Sequence, residues 1–103
     1  MQQILHVFIR PDLVDELLEL VEAQGSWGAT ILRGRGASNH PEQRFLNVAI
    51  EHQVSLVILV VDKAKIQGMI QALQEHFDFN QAGTGLLCSL PAYSVRGLDN
   101  RKS

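Results

Sequence analysis

The sequence predicts an α+β sandwich, one antiparallel sheet with two helices on a single face. Three observations carry that reading. The runs "ILHVFI" (Ile4–Ile9), "VSLVILVV" (Val54–Val61) and "LLCSL" (Leu86–Leu90) are apolar and of strand length. Two other segments repeat their apolar residues at helical spacing. The order along the chain is strand, helix, strand, strand, helix, strand.

Each element has its own justification. "ILHVFI" is apolar on both faces, as a central strand is. Pro11 suits the first turn of a helix, where its missing N–H costs nothing. Leu13, Val14, Leu17, Leu18 and Val21 follow at helical spacing, with Asp12, Asp15, Glu16, Glu19 and Glu22 on the other side. Gly25 can end this helix in the left-handed conformation. "ATILR" (Ala29–Arg33) predicts the second strand, and the polar stretch Ala37–Gln43 a loop. "RFLNVAI" (Arg44–Ile50) predicts a returning strand, joined by the short turn Glu51–Gln53 to "VSLVILVV". Asp62 is a good N-cap for the second helix. Ile66, Met69, Ile70, Leu73 and Phe77 share one face of it. "DFNQAGTG" (Asp78–Gly85) is a loop, and Pro91 stops the last strand.

Two β-α-β units with right-handed crossovers pack both helices on one side of the sheet. This is the ferredoxin-like βαββαβ sandwich. The expected organisation is a single domain over residues 1–98 and a polar tail over residues 99–103. No helix covers the other sheet face, yet its strands are apolar on both sides, which predicts an oligomer.

Composition narrows the function classes. Of the 103 residues, 46% are apolar and 19% charged, which fits a globular domain rather than a disordered one. A net charge of −2 with both signs dispersed argues against nucleic acid as a partner. Cys88 is the only cysteine, so a reducing, cytoplasmic setting is expected. "MQQILHVFIRPD" lacks the pattern of a signal peptide. No acid–base pair accompanies a nucleophile at reaction-specific spacing, so the chain is not expected to be an enzyme.

"GATILRGRG", "VSLVILVVD" and "AGTGLLCSLPAYSVRGL", in this order, resemble the P-II nitrogen-regulatory signalling family, in its short P-II-like branch. The resemblance implies a homotrimer with the sheets facing inward. It also implies a cleft between subunits for a nucleotide or a small anionic effector. Thr30, Gly34, Arg35 and Gly36 would form one wall; Val61 and Asp62, with Val60, would lie near a base. Gly83, Thr84 and Gly85 would approach phosphates through backbone N–H groups, with Arg96 close by. Glycines allow that approach, and successive N–H groups make an anion nest. A T-loop over roughly Arg35–Phe45, with Ala37, Ser38, Asn39, His40, Glu42 and Gln43 at its tip, would regulate a target protein. A membrane transporter is a common kind of target in that family.

The departures from the family pattern are specific. Leu86 stands where classical members carry a phosphate-binding lysine. Gly97 and Asp99 stand at the positions of their arginine pair. The modified tyrosine has no counterpart in "ASNHPEQ". An adenine nucleotide, another anion and no nucleotide are all open.

Plainer readings compete with each feature. Arg33 and Arg35 around Gly34 are either an anion clamp or a solvated strand end with turn glycines. "GTG" is either a nest or an ordinary loop; a strand follows it, which excludes a dinucleotide fold. His40 and His52 raise a second function class, a trimeric divalent-metal-binding protein of the cation-tolerance kind. No histidine pair has helical metal-site spacing, so no metal is expected. His6 is expected to be a hydrogen-bonded core or interface residue. Cys88 is expected to be a buried small hydrophobe. Trp27 suits interface packing better than stacking on a base.

Overall fold

The computed structural model describes residues 2–26, 28–36, 44–45, 48–49, 52–79 and 85–97. β1 (Gln2–Ile9) leads into a 3-10 turn (Pro11–Leu13) and α1 (Val14–Ala23). β2 (Thr30–Gly36), β3 (Arg44–Phe45), β4 (Val48–Ala49) and β5 (His52–Asp62) follow. α2 (Lys63–His76) and β6 (Gly85–Ala92) complete the chain. The main sheet has the order β2-β5-β1-β6, and every neighbouring pair is antiparallel. The fold is therefore α+β, with a four-stranded antiparallel sheet and two helices.

Local chemistry explains the boundaries. Pro11 opens the 3-10 turn ahead of α1. Gly25 closes the helix at φ 94°, a left-handed conformation that favours glycine. The Asp62 carboxylate accepts a hydrogen bond from the Ala64 N–H at 3.2 Å and so caps α2.

One core joins the helices to the sheet. Leu5, Val7 and Ile9 of β1 and Val57, Leu59 and Val61 of β5 alternate into it. Leu17 and Val21 of α1, Ile66, Met69 and Leu73 of α2, and Phe77 fill it from above. The periodicity of both helices thus marks their buried faces. His76 Nε2 lies 3.1 Å from Glu16 Oε2 and ties α2 to α1 outside the core.

Four expectations need correction. The strand expected over Arg44–Ile50 does not enter the main sheet; its described parts, β3 and β4, pair with each other in a separate two-stranded sheet. Pro91 does not stop the last strand, which runs to Ala92. β6 is an edge strand, where a missing N–H is tolerated. Cys88 is exposed rather than buried, because it faces away from the helices. His6 Nδ1 is buried and has no hydrogen-bond partner among the described residues, so the expected hydrogen bond of His6 is not found at that nitrogen within them.

Candidate functional site

Strand register decides which candidate residues meet. Arg33 pairs with Ser55, Ser55 with Ile9, and Ile9 with Gly85. The glycine-bearing ends of β2 and β6 therefore lie at the same end of the sheet. They stand on its two opposite edges, about 14 Å apart at ordinary strand spacing.

At the β2 edge the chain forms an open cleft of about 370 Å³. It is lined by Pro11, Arg33, Gly34, Arg35, Gln53 and Val54. Directly paired residues point to the same face of a sheet. Arg33 thus shares the helix side with Ser55, which is only 1% exposed, and Arg35 shares it with Gln53. The two guanidinium groups project from alternate positions of one strand, with Gly34 between them on the opposite face. Beside the cleft, Arg10 holds Asp12 in a two-point pair, Nε–Oδ1 at 3.2 Å and Nη2–Oδ2 at 3.1 Å. That carboxylate is already neutralised by its own arginine.

β2 continues through Arg35 and Gly36, which were expected in the loop. The loop tip, Ala37, Ser38, Asn39, His40, Glu42 and Gln43, lies outside the described residues. So do Gly83, Thr84 and Trp27.

At the β6 edge Gly85 is required by its surroundings. It has φ 154°, and a Cβ there would overlap the carbonyl oxygen of Phe8. Gly34 has no atom of the described residues within 4 Å of the corresponding point. The first glycine is held by close backbone approach; the second leaves open space.

The remaining candidates lie elsewhere. Thr30 is exposed at the start of β2, opposite Ile58. Val61 and Asp62 pair with Gln3 and Gln2 at the other end of the sheet, about 30 Å along β5 from Gln53. The Val61 side chain is 4% exposed and belongs to the core, so only its backbone is left to meet a ligand. Arg96 follows β6 beyond that same far end; its Nη1 donates to Ser94 Oγ and to the Val95 carbonyl.

Within one chain, then, the structure brings Gly34, Arg35 and Gly36 together and sets Gly85 level with them across the sheet. It keeps Val61, Asp62 and Arg96 away from them. Pro11 and Gln53 are lining residues that the sequence did not single out. Finding them needs the β2–β5 register, which no local motif carries.

The metal reading gains no donor set. The described residues contain no group of three or more His, Cys, Asp or Glu side chains able to hold a metal. His40 lies outside them. The same residues include no helix long and apolar enough to cross a membrane. No protein-family model and no curated protein matches the chain.

Proposed function

We propose that the chain is a P-II-like regulatory module that binds a small anionic effector between subunits and signals to a partner protein. The single observation that carries this is the placement of the glycine-bearing strand ends. Gly34–Gly36 and Gly85 sit level, at one end of the sheet, but on opposite edges. A ligand that touches both needs two copies of the chain.

Two further features support the reading. The order β2-β5-β1-β6 with antiparallel neighbours supports reading the α+β fold as a ferredoxin-like sandwich. The sheet face without helices carries Ile4, Phe8, Leu32, Leu56, Ile58, Val60, Leu86 and Leu90. Leu32, Leu86 and Leu90 are 52%, 59% and 52% exposed in the single chain. A homotrimer with these faces inward buries them. Residues 37–43, which follow β2 in the sequence, would in this reading report occupancy to a target.

Titration calorimetry with ATP, ADP, AMP, bicarbonate and 2-oxoglutarate tests the proposal. Heat with at least one of them, lost in Arg35→Ala, is the expected result. No heat with any of them rejects it.

A further inference from the structure

We infer that His6 and Cys88 form a two-donor half-site for Zn²⁺ on the open face of the sheet, completed by the same pair from a neighbouring copy of the chain. This rests on the proposed assembly through that face, but not on effector binding.

Strand register makes the pair. His6 of β1 stands directly opposite Cys88 of β6. Directly paired residues point to the same face, with Cβ atoms about 4.5–5.5 Å apart. That face is the one turned away from the helices, since Leu5 and Val7 on either side of His6 are buried in the core. Cys88 is exposed there. His6 is half-buried, and its Nδ1 is buried with no hydrogen-bond partner among the described residues. A buried nitrogen in that state calls for a partner, and a bound ion is one of those that serve. The χ2 torsion of histidine is broad, so the ring can turn a nitrogen towards the sulfur.

Donor chemistry selects the ion. A thiolate and an imidazole together suit Zn²⁺, which takes four ligands in a tetrahedron. Zn–N and Zn–S bonds of about 2.0–2.1 and 2.3 Å set the two donor atoms about 3.5 Å apart, within reach of a directly opposed pair. The cysteine thiol gives its proton to water on binding, and no electron moves. His6 and Cys88 are two of the four donors. His6 lies mid-strand on β1, an inner strand, so the pair sits within the face that the proposed homotrimer turns inward. Neighbouring copies then bring a second pair to the first, and the ion is shared, with fewer than one per chain. The two residues lie far apart in the sequence, so no local spacing shows the pair.

Co²⁺ in place of Zn²⁺ gives the readout, on the full chain with a phosphine reductant present. A sulfur-to-cobalt charge-transfer band in the near ultraviolet and the strong visible bands of a tetrahedral ion are expected, saturating below one Co²⁺ per chain. Cys88 is the only cysteine, so the charge-transfer band reports that thiolate alone. Zn²⁺ should displace the Co²⁺ and bleach the bands. Cys88→Ser should abolish the charge-transfer band, and His6→Gln should weaken Co²⁺ binding by about tenfold or more. His76→Gln, on α2, should leave both unchanged. Where Cys88→Ser does not fold, alkylation of Cys88 in the parent chain must remove the band; where His6→Gln does not fold, His6→Asn takes its place.

No charge-transfer band at any Co²⁺ concentration overturns the inference, as does binding indifferent to the His6 variants. One Co²⁺ per chain, or a loaded species that is monomeric by light scattering, overturns the sharing between copies. Effector heat without the cobalt bands removes this proposal and leaves the regulatory module standing. Cobalt bands without effector heat keep this proposal and remove the effector reading.

Discussion

The two faces of the sheet are almost equally apolar and have opposite fates. On one, Leu5, Val7, Ile9, Val57 and Leu59 are at most 1% exposed beneath the helices. On the other, Ile4, Phe8, Leu56, Ile58 and Val60 are only half-buried, and Leu32, Leu86 and Leu90 lie open. Burial here is decided by what packs on a face, not by its composition. The first face is finished by the chain itself. The second has the composition of a core, and among the described residues no element covers it; the proposed oligomer would supply the cover.

Truncation should separate the faces most strongly. Leu5→Ala removes a side chain from the closed face and should cost about 2–5 kcal/mol of unfolding free energy. Leu86→Asp/Leu90→Asp alters the open face, where surface substitutions usually change single-chain stability by about 0.5 kcal/mol or less each. Its effect should appear in mass instead. Light scattering after size-exclusion should show the parent as an oligomer and the double variant as smaller species. Equal masses would mean that this face is not what the subunits share.

The two sheet edges give a second, smaller contrast. Gly34 and Gly85 look alike in the sequence, each beside another glycine-rich position. Gly85→Ala forces a Cβ into the Phe8 carbonyl at a positive φ and should cost about 1–3 kcal/mol. Gly34→Ala meets no neighbour within 4 Å, and a compatible Gly→Ala change shifts stability by only about 0.4–1 kcal/mol, in the stabilising direction. Urea midpoints of the two variants would show the difference. Similar losses at both sites would remove the distinction between a constrained and an open edge.

These contrasts also mark what the sequence could say. The helices were legible because Leu17, Val21, Ile66, Met69 and Leu73 repeat with the helical period, and caps such as Asp62 act locally. The long strands were legible because apolar runs of that length have few alternatives. Arg44–Ile50 misled because its alternation fits a strand in any sheet; alternation carries no information about the partner. Cys88 misled for a related reason: in an apolar strand, neighbours in sequence do not tell which face is covered. The Arg33–Arg35 cleft was half legible. Two arginines around a glycine can be read directly, whereas Gln53 and Pro11 reach them only through the register of β2 with β5. The distance between Asp62 and Gly34 was not legible at all, since it depends on the direction of β5.

Asp62 sharpens that last point, because it was a candidate for effector binding and its observed work is structural. Its carboxylate satisfies the Ala64 N–H at the start of α2, at the end of the sheet remote from the arginine cleft. Removing such a cap leaves an N–H of the first helical turn without its side-chain partner and typically costs about 1 kcal/mol. Asp62→Ala should lower the unfolding midpoint by that amount, and Asp62→Asn, which keeps an accepting oxygen, should recover most of it. Neither change should alter effector binding that depends on Arg35, about 30 Å away along β5. An effector affinity that falls with Asp62→Ala while stability holds would reverse the assignment and bring the far end of the sheet into the site.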